Sequence, residues 1–221
     1  MAHPPTSDHP PVFAWLLQRR KRVISALGLI LIAGIVCYLF FDRPAARWAD
    51  TLNPTANNFW EIVTRFGLTE WYIVPAAILL ICYKLITKHP MLAWRSALIV
   101  CSIAGSGLIA NLFKWILGRY RPPMLLEENL FGFSFFKLGY MAHSFPSGHS
   151  TTAGALIVLA CVFMPKGAWL WIVMGVLIAA SRAFICVHYL SDVIAGLTLG
   201  GAFTLWVNHK LTKPIEAIPA K

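Results

Sequence analysis

The chain has 221 residues, 58% of them hydrophobic and 13% charged, and its formal net charge is +10. That balance is too apolar for a soluble domain of this size and points to one compact membrane-embedded unit. The positive excess does not read as nucleic-acid binding, because no basic stripe with interleaved aromatics lies outside the apolar segments; membrane orientation and anion binding account for it.

Residues 1–22 read as a cytoplasmic segment rich in proline and histidine that ends in the basic run Arg19, Arg20, Lys21, Arg22. No small-residue cleavage site follows, so the stretch from about Val23 to Phe41 reads as an uncleaved first span with the amino terminus inside. Asp42 to Glu70 is an external segment. Within it Phe59, Ile62, Val63 and Phe66 fall at i, i+3, i+4 and i+7, one apolar face of an interfacial helix that either packs on the bundle rim or serves lipid access. A second span, about Trp71 to Ile86, leads to a basic inner loop with Lys84, Lys88 and Arg95. A third, about Leu92 to Leu117, delivers Lys114 to the outer face. The loop from Arg119 to Phe145 holds Phe131, Phe133, Phe135, Phe136 and Tyr140, a composition suited to the headgroup zone.

Spans four to six follow at about Ser147 to Met164, Ala168 to Arg182 and Asp192 to Val207, with an inner turn at Pro165 to Gly167. Residues 214–221 form a cytoplasmic tail. The expected fold is therefore all-α, a single six-helix transmembrane bundle over residues 23–213 with an external interfacial helix and an external loop. Most of the 19 Lys and Arg residues then fall on the side of the amino terminus, as the positive-inside rule requires. The five cysteines lie in or beside apolar runs and supply no disulfide framework.

Three polar islands interrupt the apolar pattern, where a charge is expensive unless it has a task. In Ser181 to Asp192, SRAFICVHYLSD, the residues His188 and Asp192 are four apart. On a helix beginning near His188 the carboxylate holds one ring nitrogen while the other points outward, which is the arrangement of a nucleophile or general base. In Lys114 to Pro122, KWILGRYRP, Lys114 and Arg121 are seven apart, two helical turns, and share a face of the third span before Pro122 and Pro123 stop it. In Ser144 to Thr151, SFPSGHST, Ser147 suits a helix cap, Gly148 lets an anion approach the backbone, and the first amides of the helix are free to bind it. His149 is able to donate a proton near neutral pH. Each island alone has an ordinary explanation: basic side chains at a membrane boundary extend to headgroups, and serines cap helices. For Arg119 that ordinary reading is kept.

Read together as K-x6-R-P, P-S-G-H and S-R-x5-H-x3-D, the islands match the signature of the type 2 phosphatidic acid phosphatase superfamily, and the chain resembles a lipid phosphate phosphatase. The resemblance runs from Lys114 to Asp192; the first 110 or so residues carry none of it. It implies a hydrolase that uses no metal and no cofactor and removes a terminal phosphate from a phospholipid, isoprenoid diphosphate or lipid A headgroup. It assigns His188 as the nucleophile that forms a phosphohistidine, His149 as the general acid and Asp192 as the residue that orients His188. Lys114, Arg121, Ser147, Gly148 and Arg182 then hold the phosphate. Vanadium haloperoxidases share the signature but are soluble, and six spans set this chain apart from them. A phosphotransferase that passes the phosphoryl group from His188 to another lipid fits the same residues and stays open. The implied partners are the lipid substrate and the bilayer, and the implied location is the bacterial inner membrane with the site on the periplasmic face. His143, beside the PSGH turn, is either a neighbour of the site or an ordinary loop residue, and Glu127 with Glu128 reads as a solvated pair.

Overall fold

The computed structural model describes residues 20–52, 54–83 and 90–216. Most of the amino-terminal segment, the inner-loop residues Lys84 and Lys88 and the end of the tail lie outside them. Among the described residues the regular structure is helical, and a single antiparallel bridge joins Arg119 to Phe133. The helices are α1 (Arg20–Val36), α2 (Asp42–Asp50), α3 (Pro54–Arg65), α4 (Glu70–Cys82), α5 (Pro90–Leu117), α6 (Pro122–Glu128), α7 (Gly148–Phe163), α8 (Ala168–Phe184) and α9 (Leu190–Glu216). Among the described residues five stretches are long and apolar enough to cross a membrane: Gly28–Asp50, Asn58–Cys82, Met91–Leu117, Pro165–Phe184 and Leu190–Thr212. Gly148–Phe163 is also apolar but shorter.

The first span does not stop at Phe41. A wide π-helical turn, Cys37–Phe41, carries α1 directly into α2. The charge of Asp42 fails to end the helix because its side chain is fully buried among partners and never needs water. Helix α3 divides the expected apolar face: Val63 is buried and Trp60 stacks on Phe184 with ring centroids 4.2 Å apart, while Phe59, Ile62 and Phe66 face outward.

A larger correction concerns the end of the third span. Lys114 and Arg121 do not share a helix face, because α5 ends at Leu117 and Gly118 turns the chain with a left-handed φ of +56°. Arg121 is extended (φ −81°, ψ 161°) and Pro122 opens α6. The residue before a proline is pushed out of the α region, whereas proline itself suits a first helical position. The prolines expected to stop one helix therefore start another.

Helices α5, α7 and α9 share a core of Leu98, Ile103, Ala155, Leu156, Leu159 and Val207. Of all helix pairs α7 and α9 pack most extensively, and their backbones nearly touch. A Cβ on Gly196 would stand 2.5 Å from the Ser147 carbonyl oxygen, and one on Gly200 would collide with the Thr151 carbonyl. Small residues at such a crossing are what allow membrane helices to approach this closely. The approach brings the first turn of α7 beside the first turn of α9, at one end of the bundle. Gly200→Val forces these helices apart and is expected to cost about 1–3 kcal/mol, seen as a lower melting temperature of the detergent-solubilised protein.

Candidate active site

The segment after α8 folds back over that helix's end. The Arg182 carbonyl accepts the amide hydrogens of Val187 (3.1 Å) and His188 (3.0 Å), which sets His188 beside Arg182 in a short connection before α9. His188 thus lies just outside a helix. Asp192 sits in the first turn of α9 and caps it, accepting the Tyr189 amide at 2.9 Å. The His188 Nδ1 is 3.6 Å from Asp192 Oδ2 and 3.4 Å from the Ser144 hydroxyl, which itself donates to Asp192 Oδ2 at 2.6 Å. With Nδ1 turned towards this carboxylate, Nε2 lies on the opposite edge of the ring. Burial drives the His188 pKa down to about 3 and the Arg121 and Arg182 charges add to the effect, so that Asp192 opposes the shift without reversing it. The ring is therefore neutral.

The other carboxylate oxygen, Oδ1, is paired with Arg119, so the reading of Arg119 as a headgroup-seeking side chain is overturned. Arg119 has no exposed surface. It also donates to Asp42 Oδ2 (2.6 Å) and to the Ser191 hydroxyl (2.7 Å), within a ring of Tyr38, Phe131, Phe133, Phe145 and Tyr189. Burial disfavours its charge, but Asp192 and Asp42 outweigh that penalty and hold its pKa above the ordinary value.

Above the imidazole lie three cations without a counterion: among the described residues no carboxylate comes within 4.0 Å of Lys114, Arg121 or Arg182. Arg121 is pinned by backbone carbonyls of Tyr140 (2.9 Å), Val187 (3.2 Å) and His143 (3.2 Å) and lies over the Tyr140 ring. A guanidinium has five N–H donors, so two remain for an anion. Arg182 is anchored from Nη1 to Thr64 Oγ1 on α3 at 2.7 Å, and its buried Nε has no partner among the described residues. Lys114 reaches over the start of α7, its Nζ 3.6 Å from where a Cβ on Gly148 would be. The turn after α3 closes the far side: a Cβ on Gly67 would stand 2.8 Å from Cδ2 of His149.

Ser147 is the cap of α7, accepting the Ser150 amide at 3.4 Å, while its own amide donates to the Asp192 carbonyl at 3.1 Å. The residue is wholly buried and its hydroxyl also accepts the Ser150 hydroxyl at 2.9 Å, so its own O–H is the group left for a further partner. The amides of Gly148 and His149 have no acceptor among the described residues, which leaves an anion position at the helix start. Among the described residues no three His, Cys, Asp or Glu side chains cluster as metal ligands. The arrangement is a cationic cup with a neutral imidazole at its floor. Ser144, Thr64, Asp42 and Arg119 belong to its framework although motif reasoning gives none of them a role there.

The model of the PAP2 superfamily matches residues 95–215 of this chain. A lipid A 1-phosphatase of Rhizobium johnstonii is 32% identical over 191 residues, spanning 82% of this chain and 78% of the relative. An undecaprenyl-diphosphatase of Sulfolobus acidocaldarius is 27% identical over 172 residues, 74% of this chain and 75% of that one. In fold, the chain is similar to the crystal structure of the transmembrane PAP2-type phosphatidylglycerolphosphate phosphatase from Bacillus subtilis, with a TM-score of 0.60 and 19% identity over 90% of this chain and 98% of that one. Loss of the Thr64 anchor on the Arg182 guanidinium is expected to loosen the cup: Thr64→Val should weaken inorganic phosphate binding about tenfold, the loss of about 1.4 kcal/mol, as read by calorimetric titration.

Proposed function

The chain belongs to the PAP2 superfamily, and on that premise we propose that it is an integral-membrane lipid phosphate phosphatase working through a phosphohistidine. The observation that carries this reading is the convergence of Arg121 and Arg182 on a neutral His188 backed by Asp192, with Lys114 beside both arginines and all three cations free of carboxylates among the described residues. A phosphate ester resists attack because its oxygens are negative, and three cations with the Gly148 and His149 amides neutralise that charge where it grows in the transition state. His188 Nε2 attacks phosphorus, the ester or diphosphate P–O bond breaks, and His149 gives its proton to the leaving oxygen. The phosphorylated ring is a cation that Asp192 stabilises. Water, giving a proton back to His149, then attacks phosphorus, releasing inorganic phosphate and restoring His188.

The membrane arrangement we propose has six spans, the five long stretches together with α7. The site then faces the periplasm and both termini lie in the cytoplasm. The inner turn with Lys166, at the end of the bundle opposite the site, supports that orientation, and the bacterial inner membrane is the proposed location. Among candidate substrates the similarity to a lipid A 1-phosphatase puts the 1-phosphate of lipid A first, followed by undecaprenyl diphosphate and phosphatidylglycerol phosphate. Each is a phosphate held at the interface by a buried apolar anchor. The exposed Phe135, Phe136, Leu138 and Tyr140 at the rim suit contact with such a lipid.

Purified protein should release free phosphate from at least one lipid in this panel and be inhibited by orthovanadate; label passing instead to a second lipid would identify a phosphotransferase. His188→Ala is expected to abolish turnover while the melting temperature stays close to that of the parent chain, and residual activity above about a thousandth of the parent rate would overturn the nucleophile assignment. The kcat/KM profile should be bell-shaped. Its limbs belong to His188 and His149 as a coupled pair, and the rising limb lies acid of the ordinary histidine range because the His188 pKa is depressed. A rate that does not vary from about pH 4 to 9 would count against both roles.

A further inference from the structure

Asp42 lies at the junction of α1 and α2, outside the residues 95–215 that the family model matches. Its side chain is nevertheless fully buried and makes three contacts at the heart of the site. Oδ2 accepts Arg119 Nη2 at 2.6 Å and the Ser191 hydroxyl, and Oδ1 accepts the Ser191 amide at 3.0 Å, across 149 residues of sequence. That amide belongs to the first turn of α9, where helical N–H groups have no partner within the helix. Asp42 therefore supplies α9 with a cap from another helix, at the residue next to Asp192 and close in sequence to His188.

An anchor alone does not require a charge. Asparagine has the same shape and an oxygen for the Ser191 amide, and burying two carboxylates around one arginine is costly in a membrane bundle. The charge has a specific consequence for Asp192. Were Arg119 paired with Asp192 alone, the two would form a neutral couple, with the carboxylate drawn towards the guanidinium and away from the imidazole. Shared between Asp42 and Asp192, the same guanidinium leaves the set Asp42, Arg119, Asp192 one negative charge in excess.

We infer that Asp42 is a positioning residue for the reaction: through Arg119 and Ser191 it fixes Asp192 against Nδ1 of His188 and preserves the negative charge that the phosphorylated imidazole needs. This rests on the phosphatase reading of the same site. The effect falls on the step in which the ring becomes cationic, not on phosphate capture, because the cations of the cup lie on the other edge of the ring.

The test compares the full chain with Asp42→Asn, Asp192→Asn and the double variant, reconstituted in vesicles, using whichever lipid phosphate the parent chain hydrolyses. Asp42→Asn is expected to lower kcat about 10–100-fold with KM changed by less than about twofold and a melting temperature near that of the parent. On the Asp192→Asn background, Asp42→Asn should change the residual rate by less than about twofold, because its influence passes through Asp192. Ser191→Ala, which removes the hydroxyl shared by Asp42 and Arg119 but keeps the Ser191 amide and every charge, should lower kcat about three- to tenfold and be silent in the same background. A folded Asp42→Asn protein with the parent kcat, or losses that multiply in the double variant, would overturn the inference. If Asp42→Asn does not fold, the Ser191→Ala and Asp192→Asn pair decides the question by the same criterion. Failure of the parent chain to release phosphate from any lipid phosphate counts against the phosphatase reading itself, and so is distinguishable from a failure of the role given to Asp42.

Discussion

A carboxylate buried in a helix bundle costs several kcal/mol unless both oxygens are met, and the way Asp192 meets that demand organises the rest of the site. One oxygen takes Arg119, from the turn after α5; the other takes the Ser144 hydroxyl, from the loop before α7, and the Tyr189 amide at the start of α9. These partners are braced against one another, since the Ser144 amide donates to the Arg119 carbonyl at 3.0 Å and the Ser147 amide to that of Asp192 at 3.1 Å. Three helix ends are thereby locked to one side chain. The close crossing of α7 and α9 at Gly196 and Gly200 is the packing that lets this happen.

The imidazole of His188 sits at a boundary between two fields. On its Nδ1 edge lies a set of one cation and two anions; on the other side lie three cations that no carboxylate among the described residues neutralises. In a low-dielectric interior such a separation is expensive to maintain, and each half is held by neutral scaffolding. Arg121 hangs on three carbonyls and Arg182 on Thr64, so neither is free to swing down and pair with Asp192. On the proposed reading, a dianionic phosphate completes the electrostatic balance that the cup lacks.

The residues proposed for catalysis and phosphate binding are legible because charge stands out in apolar surroundings: Lys114, Arg121, His149, Arg182, His188 and Asp192 are conspicuous where few polar groups are tolerated. Their supports are not. Asp42, Ser144 and Thr64 are each a single polar residue near a segment boundary, and their partners lie 149, 48 and 118 residues away. No local pattern encodes a contact of that range. Arg119 escapes notice for the same reason, since a cation at a membrane boundary is ordinarily solvated by headgroups and only tertiary structure reveals two carboxylates waiting for it. A helical period suggests that Lys114 and Arg121 share a face; a glycine turn followed by proline brings them together instead. Ser147 is legible as a cap, but the bond from its amide to the Asp192 carbonyl on α9 is not.

Because Asp42 comes from α2 and Asp192 from α9, the two meet across Arg119 only when both helices are packed into one bundle. Without α9 there is no Asp192, and the Arg119 guanidinium is left with Asp42 alone.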